Sequence, residues 1–136
     1  MKVEKQMEVD ADGDMDYLLG NAGTNFQMKA SATEPIELYA GDFNNDGIND
    51  PILCYYIRGK SYPFHSRDEL LSQLKPLEKR FPSYAYANAA IHDILGPGLM
   101  NKTFKAKATM LESCWLENVD GDFKIHDYPS NFNIRQ

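Results

Sequence analysis

Apolar residues come in short runs separated by Asp, Asn and Gly along most of this chain, and helical spacing is confined to its middle. Residues 2–8, 16–20, 26–30, 36–41 and 51–58 read as strands. Tyr17-Leu18-Leu19 and Pro51-Ile52-Leu53-Cys54-Tyr55-Tyr56-Ile57 are continuous enough to predict buried ones. The period then changes. Ser66-Arg67-Asp68-Glu69 has the form of a capping box, in which the Ser hydroxyl accepts from a first-turn amide and the Glu carboxylate reaches back. Leu70, Leu71, Leu74, Leu77 and Phe81 supply one apolar face, which Pro76 interrupts and Pro82 ends. A second helix is expected from Tyr84 to Leu95, stopping at Gly96-Pro97-Gly98. Residues 103–110 and 112–117 are again extended, and Asn118-Val119-Asp120-Gly121-Asp122 turns the chain into a last strand over 123–127.

Between the first strands lie two acidic segments of one design. Glu8, Asp10, Asp12 and Asp16 hold positions 1, 3, 5 and 9 of the first, with Gly13 at 6 and Asp14 at 7. Asp42, Asn44, Asp46 and Asp50 hold the same positions in the second, with Gly47 at 6 and Ile48 at 7. Asp, Asn and Gly also form ordinary turns, and one such loop would carry little weight. Two copies, each followed by an apolar run, point to a cage for a hard cation. Calcium takes six to eight oxygens, and glycine permits the turn that aims the carbonyl of Asp14 or Ile48 inward. The expected cofactor is therefore Ca2+ at two sites. A helical EF-hand loop needs a bidentate Glu at position 12, where this chain has Leu19 and Leu53. The unit is strand, calcium loop, strand.

On these residues the chain resembles the FG-GAP/VCBS repeats found in blades of integrin-like β-propellers, in particular the bacterial ASPIC/UnbV and CRTAC-related group. Asp16-Tyr17-Leu18-Leu19-Gly20-Asn21-Ala22-Gly23-Thr24-Asn25 is similar to that group's Asp-hydrophobic-Gly-Asn segment, and Tyr39-Ala40-Gly41-Asp42-Phe43 to its next blade. Glu8 stands where the family has Asp, which implies a weaker first site. The resemblance implies a mainly β fold with a helical insertion, a partial β-propeller of about two blades. Residues 1–34 would form a partial blade with the first loop, residues 35–130 a second blade carrying the second loop and an insertion at about 64–100, and 131–136 a tail. It also implies a longer parent protein, exported or on the cell surface, with no signal peptide expected within this segment itself.

Charge adds to this picture. The chain of 136 residues has net charge -6, much of it on the loops, and no basic stripe that would release counterions from a nucleic acid. No run of 18 apolar residues predicts a membrane span. Cys54 and Cys114 are expected as two free, buried thiols, with a bond between them as the alternative, because they read as members of neighbouring strands. A two-blade piece would leave apolar faces and strand edges open, so self-association or domain swapping is expected.

Catalytic signatures are weak. His65, His92 and His126 are scattered, and loop carboxylates held ionised by a cation would be poor proton donors. The expected function is that of a non-enzymatic calcium-binding scaffold for a protein or glycan partner. The alternative is the propeller portion of a larger carbohydrate-active enzyme, which a pocket joining His65 or His126 to a carboxylate outside the loops would favour. Aromatics in strands are usually core. Tyr62, Phe64 and Tyr86, near loop and helix starts, are the candidate ligand-binding residues.

Overall fold

Both acidic segments connect the strands of antiparallel hairpins. In a computed structural model, which describes residues 2–7, 9–10, 12–79 and 86–128, β1 (Lys2–Met7) pairs with β2 (Asp16–Gly20) from Lys2↔Gly20 to Met7↔Asp16. In the same way β3 (Ile36–Gly41) pairs with β4 (Asp50–Ile57), ending at Gly41↔Asp50. Each loop thus delivers its position-9 Asp as the first residue of a strand.

Two compact units result, Met1–Gln27 with Leu111–Gln136, and Met28–Met110. The first holds an antiparallel sheet in the order β1-β2-β7-β8, where β7 is Cys114–Val119 and β8 is Asp122–Asp127. Asp120 and Gly121 both have positive φ (55° and 94°), the two-residue turn that matches strand twist. The second holds a sheet in the order β5-β4-β3-β6, with β5 at Lys60–Pro63 and β6 at Phe104–Ala108.

In the second unit one sheet face is covered by the helical segment. Tyr39, Ile52 and Cys54 share that face and are buried, as alternation along β3 and β4 requires. Leu70, Leu71, Leu74, Leu77, Ile91, Ile94 and Leu95 pack on them in a single core. Helix α1 (Arg67–Gln73) begins at Ser66, whose Oγ accepts from the Glu69 amide while Glu69 accepts from the Ser66 amide, so the capping box forms as the sequence indicates. Pro76 limits the next segment to a 3-10 turn at Lys75–Leu77.

Several expectations change. Residues 26–30 form no strand; Ser31 and Glu34 bond to one another nearby, and local turns replace extension. Tyr84, the expected start of the second helix, lies outside the described residues; residues 87–90 are not helical, and α2 spans Ile91–Met100. The Asp93 carboxylate accepts from the Ala90 amide at its start, and Gly96 (φ 69°) breaks it where expected before a further turn from Pro97. Strand β5 is an addition to the expected set. It comes after a two-residue turn in which Arg58 and Gly59 have φ of 50° and 78°.

The largest difference is in strand partners. Residues 112–127 do not complete the sheet of the second loop; β7 lies against β2, with Tyr17↔Leu116, Leu18↔Trp115 and Leu19↔Cys114, and β6 closes the second sheet against β3. Cys54 and Cys114 therefore belong to different sheets, and both are free and buried. Among the described residues no helix is long and apolar enough to cross a membrane.

Candidate metal loops and an aromatic cleft

The loops have the same hydrogen-bond skeleton. In the second, the position-5 amide of Asp46 donates to Asn44 Oδ1 (2.9 Å), the position-7 amide of Ile48 to Asp46 Oδ1 (2.8 Å), and the position-2 amide of Phe43 to Asp50 Oδ2 (3.1 Å). In the first, Asp12 donates to Asp10 Oδ1 (3.4 Å), Asp14 to Asp12 Oδ1 (3.1 Å) and Val9 to Asp16 Oδ2 (2.8 Å). Gly13 and Gly47 at position 6 have φ of 99° and 87°, which L side chains rarely adopt. Three bonds and one glycine coincide position by position.

Each loop also has its own anchor. Asp42 accepts from the amides of Asp46 and Gly47, and Asn44 Nδ2 donates to Gln73 O at the end of α1. Gly41 lets the Phe43 ring close in, since a Cβ there would meet Phe43 Cε1 at 3.0 Å. In the first loop the buried Asp16 carboxylate accepts from Asn118 on β7 through its other oxygen (2.9 Å).

The donors are oxygens, the type a hard cation takes. A carboxylate oxygen that accepts one amide keeps a second lone pair, and every loop position expected to contribute a side chain carries an oxygen; Glu8 lies outside the described residues. Asp14 Oδ1 is buried and has no hydrogen-bond partner among the described residues. Desolvation first, and then the neighbouring charge of Asp12, raise Asp10 and Asp14 above the ordinary carboxylate pKa. Asp50 is raised chiefly by desolvation, with the Phe43 amide opposing and Asp46 and Asp42 adding to the rise. Ile48 turns its side chain to solvent, so only its backbone could contribute. Among the described residues, no group of three or more His, Cys, Asp or Glu side chains is placed to hold a metal ion. The carboxylates instead turn toward loop amides.

The candidate aromatics are partly gathered. Tyr62 and Tyr86 line one cleft of about 310 Å3 with Tyr55, Ile57 and Pro63, between the β4–β5 hairpin and the segment that leads into α2. Tyr86 donates to His65 O (2.9 Å), and burial pushes its hydroxyl pKa up to about 12. Phe64 is half exposed and stands edge-on to Tyr55 at 6.2 Å.

For His126 the sequence names no particular carboxylate partner. His126 Nε2 lies 2.7 Å from Glu117 Oε2, and its ring stacks on Trp115 at 4.6 Å. The signal is present in the Asp120-Gly121 turn, because counting outward from it sets His126 opposite Trp115 and Lys124 opposite Glu117. Comparisons with models of protein families, with curated proteins and with solved structures find no match to this chain.

Proposed function

We propose that the chain is a non-enzymatic calcium-binding segment of an FG-GAP/VCBS type β-propeller, from an exported or cell-surface bacterial protein, and that it serves as a scaffold for a protein or glycan partner. The observation that carries this reading is the position-by-position agreement of the two loops. Two of the three shared bonds are Asx turns that follow from the residues themselves, and the third, from the position-2 amide to the position-9 carboxylate, spans each whole loop. Two four-stranded antiparallel sheets, each with a loop entering a strand, are in keeping with blades. In this account a cation satisfies Asp14 Oδ1 and offsets carboxylate repulsion, and so contributes to folding as well as binding.

Phe123 and Ile125 on edge strand β8, and Phe104 on edge strand β6, are at least half exposed. Open apolar edges support a neighbouring blade or self-association. The cleft of Tyr55, Tyr62 and Tyr86 is the candidate partner site, since tyrosine offers rigid contact area and a polar tip.

The decisive experiment is thermal unfolding with calcium against chelator, beside calorimetric titration of Asp12→Ala and Asp46→Ala. Two sites with Kd of about 10⁻⁴ to 10⁻³ M, each lost in one variant, are expected. No calcium response in the unsubstituted chain sinks the proposal. The enzyme alternative draws on one observation, the His126–Glu117 pair. Polysaccharide turnover that vanishes in both His126→Ala and Glu117→Gln would favour it.

A further inference from the structure

Helices seal one face of the second sheet over Tyr39, Ile52 and Cys54, and the strand register fixes what the other face presents, because residues directly opposite in a ladder point the same way. That face is apolar throughout. Its middle rung runs from Ala106 through Leu38 and Leu53 to Phe64, whose amide continues the ladder by donating to Leu53 O (2.8 Å). Ala108, Ile36, Tyr55 and Tyr62 make the rung on one side, and Phe104, Ala40 and Pro51 the rung on the other. No charged side chain stands in any of the three.

Apart from Ile36 this face is open. Phe104 and Phe64 are 65% and 40% exposed, and Leu38, Leu53 and Ala106 at the centre are only half-buried. Strands that are apolar on both sides belong between two layers, and an apolar patch of this extent marks a contact surface.

Three properties point to a second copy of the chain as the other layer. Net charge of -6 makes most pairings of two copies repel, and this face carries none of that charge. Volume is the second property. Ala106, Ala108 and Ala40 leave the β6–β3 side low, whereas Leu53, Tyr55, Tyr62 and Phe64 raise the β4–β5 side. A two-fold axis lying in the interface and parallel to the strands sets β6 of one copy over β5 of the other, so Ala106 meets the second copy's Phe64 and Leu38 its Leu53. Low then meets high. Four strands about 4.8 Å apart, with five residues of about 3.3 Å each, span roughly 20 by 17 Å, so two copies cover on the order of 700 Å2. Side-chain relief brings this to the roughly 1,000 Å2 that a specific interface needs.

We infer that two copies of this chain dimerise face to face through the open side of the second sheet, in an isologous interface centred on Leu38 and Leu53. The interface does not rest on calcium. It covers Tyr55 and Tyr62, so the dimer competes with any partner of the tyrosine cleft.

Sedimentation velocity of the full chain from about 1 to 300 µM, in calcium and in chelator, tests this. A dimer with Kd on the order of 10–100 µM is expected in both, as suits an interface near the lower size limit. Ala106→Glu and Phe64→Lys should each raise Kd at least tenfold, whereas their equimolar mixture should dimerise, because the axis sets one substitution on the other. Both positions are partly exposed at the edges of the sheet, so the variants are expected to fold, which circular dichroism verifies. Ile125→Lys on β8 should leave the dimer intact. A monomer at every concentration, a dimer that survives Ala106→Glu and Phe64→Lys, or a mixture that stays monomeric would each overturn the inference. So would a dimer lost in Ile125→Lys, or lost in chelator while circular dichroism is unchanged.

Discussion

The amide of Phe43 donates to Asp50 Oδ2 across 3.1 Å and fastens the second acidic loop to the strand it feeds. Asp50 is almost fully buried, and desolvation raises its pKa, so its charged form is held at a cost. Asp50→Ala removes the acceptor and leaves an amide without a partner, a loss of about 1–3 kcal/mol. Asp50→Asn keeps an acceptor without the charge. In chelator it should be at least as stable as the parent, whereas its calcium affinity should fall. Chemical denaturation of both variants, with and without calcium, separates the two roles; equal behaviour of Ala and Asn would contradict them.

The loop glycines offer a second test. Gly13 and Gly47 have φ of 99° and 87°, yet nothing lies within 4 Å of a Cβ built on either. Space is therefore available and only backbone strain opposes a side chain. Gly47→Ala should cost about 1–2 kcal/mol, and replacement by Asn, which tolerates left-handed backbone better, should cost less. An Ala variant as stable as the parent would show that the loop relaxes.

Helix α1 depends on a two-way cap, with the Ser66 and Glu69 side chains each satisfying the other's amide. Ser66→Ala should cost about 1 kcal/mol. The hydrogen bond from Ser66 is also the first cause of the lowered Glu69 pKa, so that lowering should diminish in the variant. An NMR titration of Glu69 that is the same in both proteins would refute the coupling.

The features legible in the sequence are mostly local. The loops, their glycines, the capping box, the Pro76 interruption and the Asp120-Gly121 turn are set by residues within a few positions of each other, and the chain adopts them as the residues dictate. Strand partners are not legible. Leu18 and Leu19 suit a buried strand whichever neighbour they find, and only the register with Trp115 and Cys114 reveals that the chain's last strands return to its first sheet. Alternation fixes which face a side chain takes, not which distant strand lies alongside. For the same reason the matching spacing of the two acidic loops is visible in the sequence, while a cavity at the end of the first sheet, assembled from segments about 90 residues apart, is not.

Cys54 makes the fold sensitive to alkali. It is fully buried in β4 opposite Glu37, and burial, with the Glu37 charge behind it, pushes the thiol up to about 12 from 9.0. The folded chain therefore favours the neutral thiol, while the unfolded chain ionises freely above 9.0. Stability from this group is complete below pH 9.0 and is lost as pH rises toward 12, by at most about 1.4 kcal/mol per unit. Tyr86 shifts in the same direction, from 10.0 to about 12, and so does Cys114, so the parent alone cannot isolate one group. Cys54→Ala can, because the small cavity it leaves lowers stability equally at every pH and only the slope above 9.0 reports the thiol. Urea midpoints from pH 8 to 10.5 should fall less steeply in the variant. Parallel lines would mean that Cys54 is not the buried acid this packing makes it.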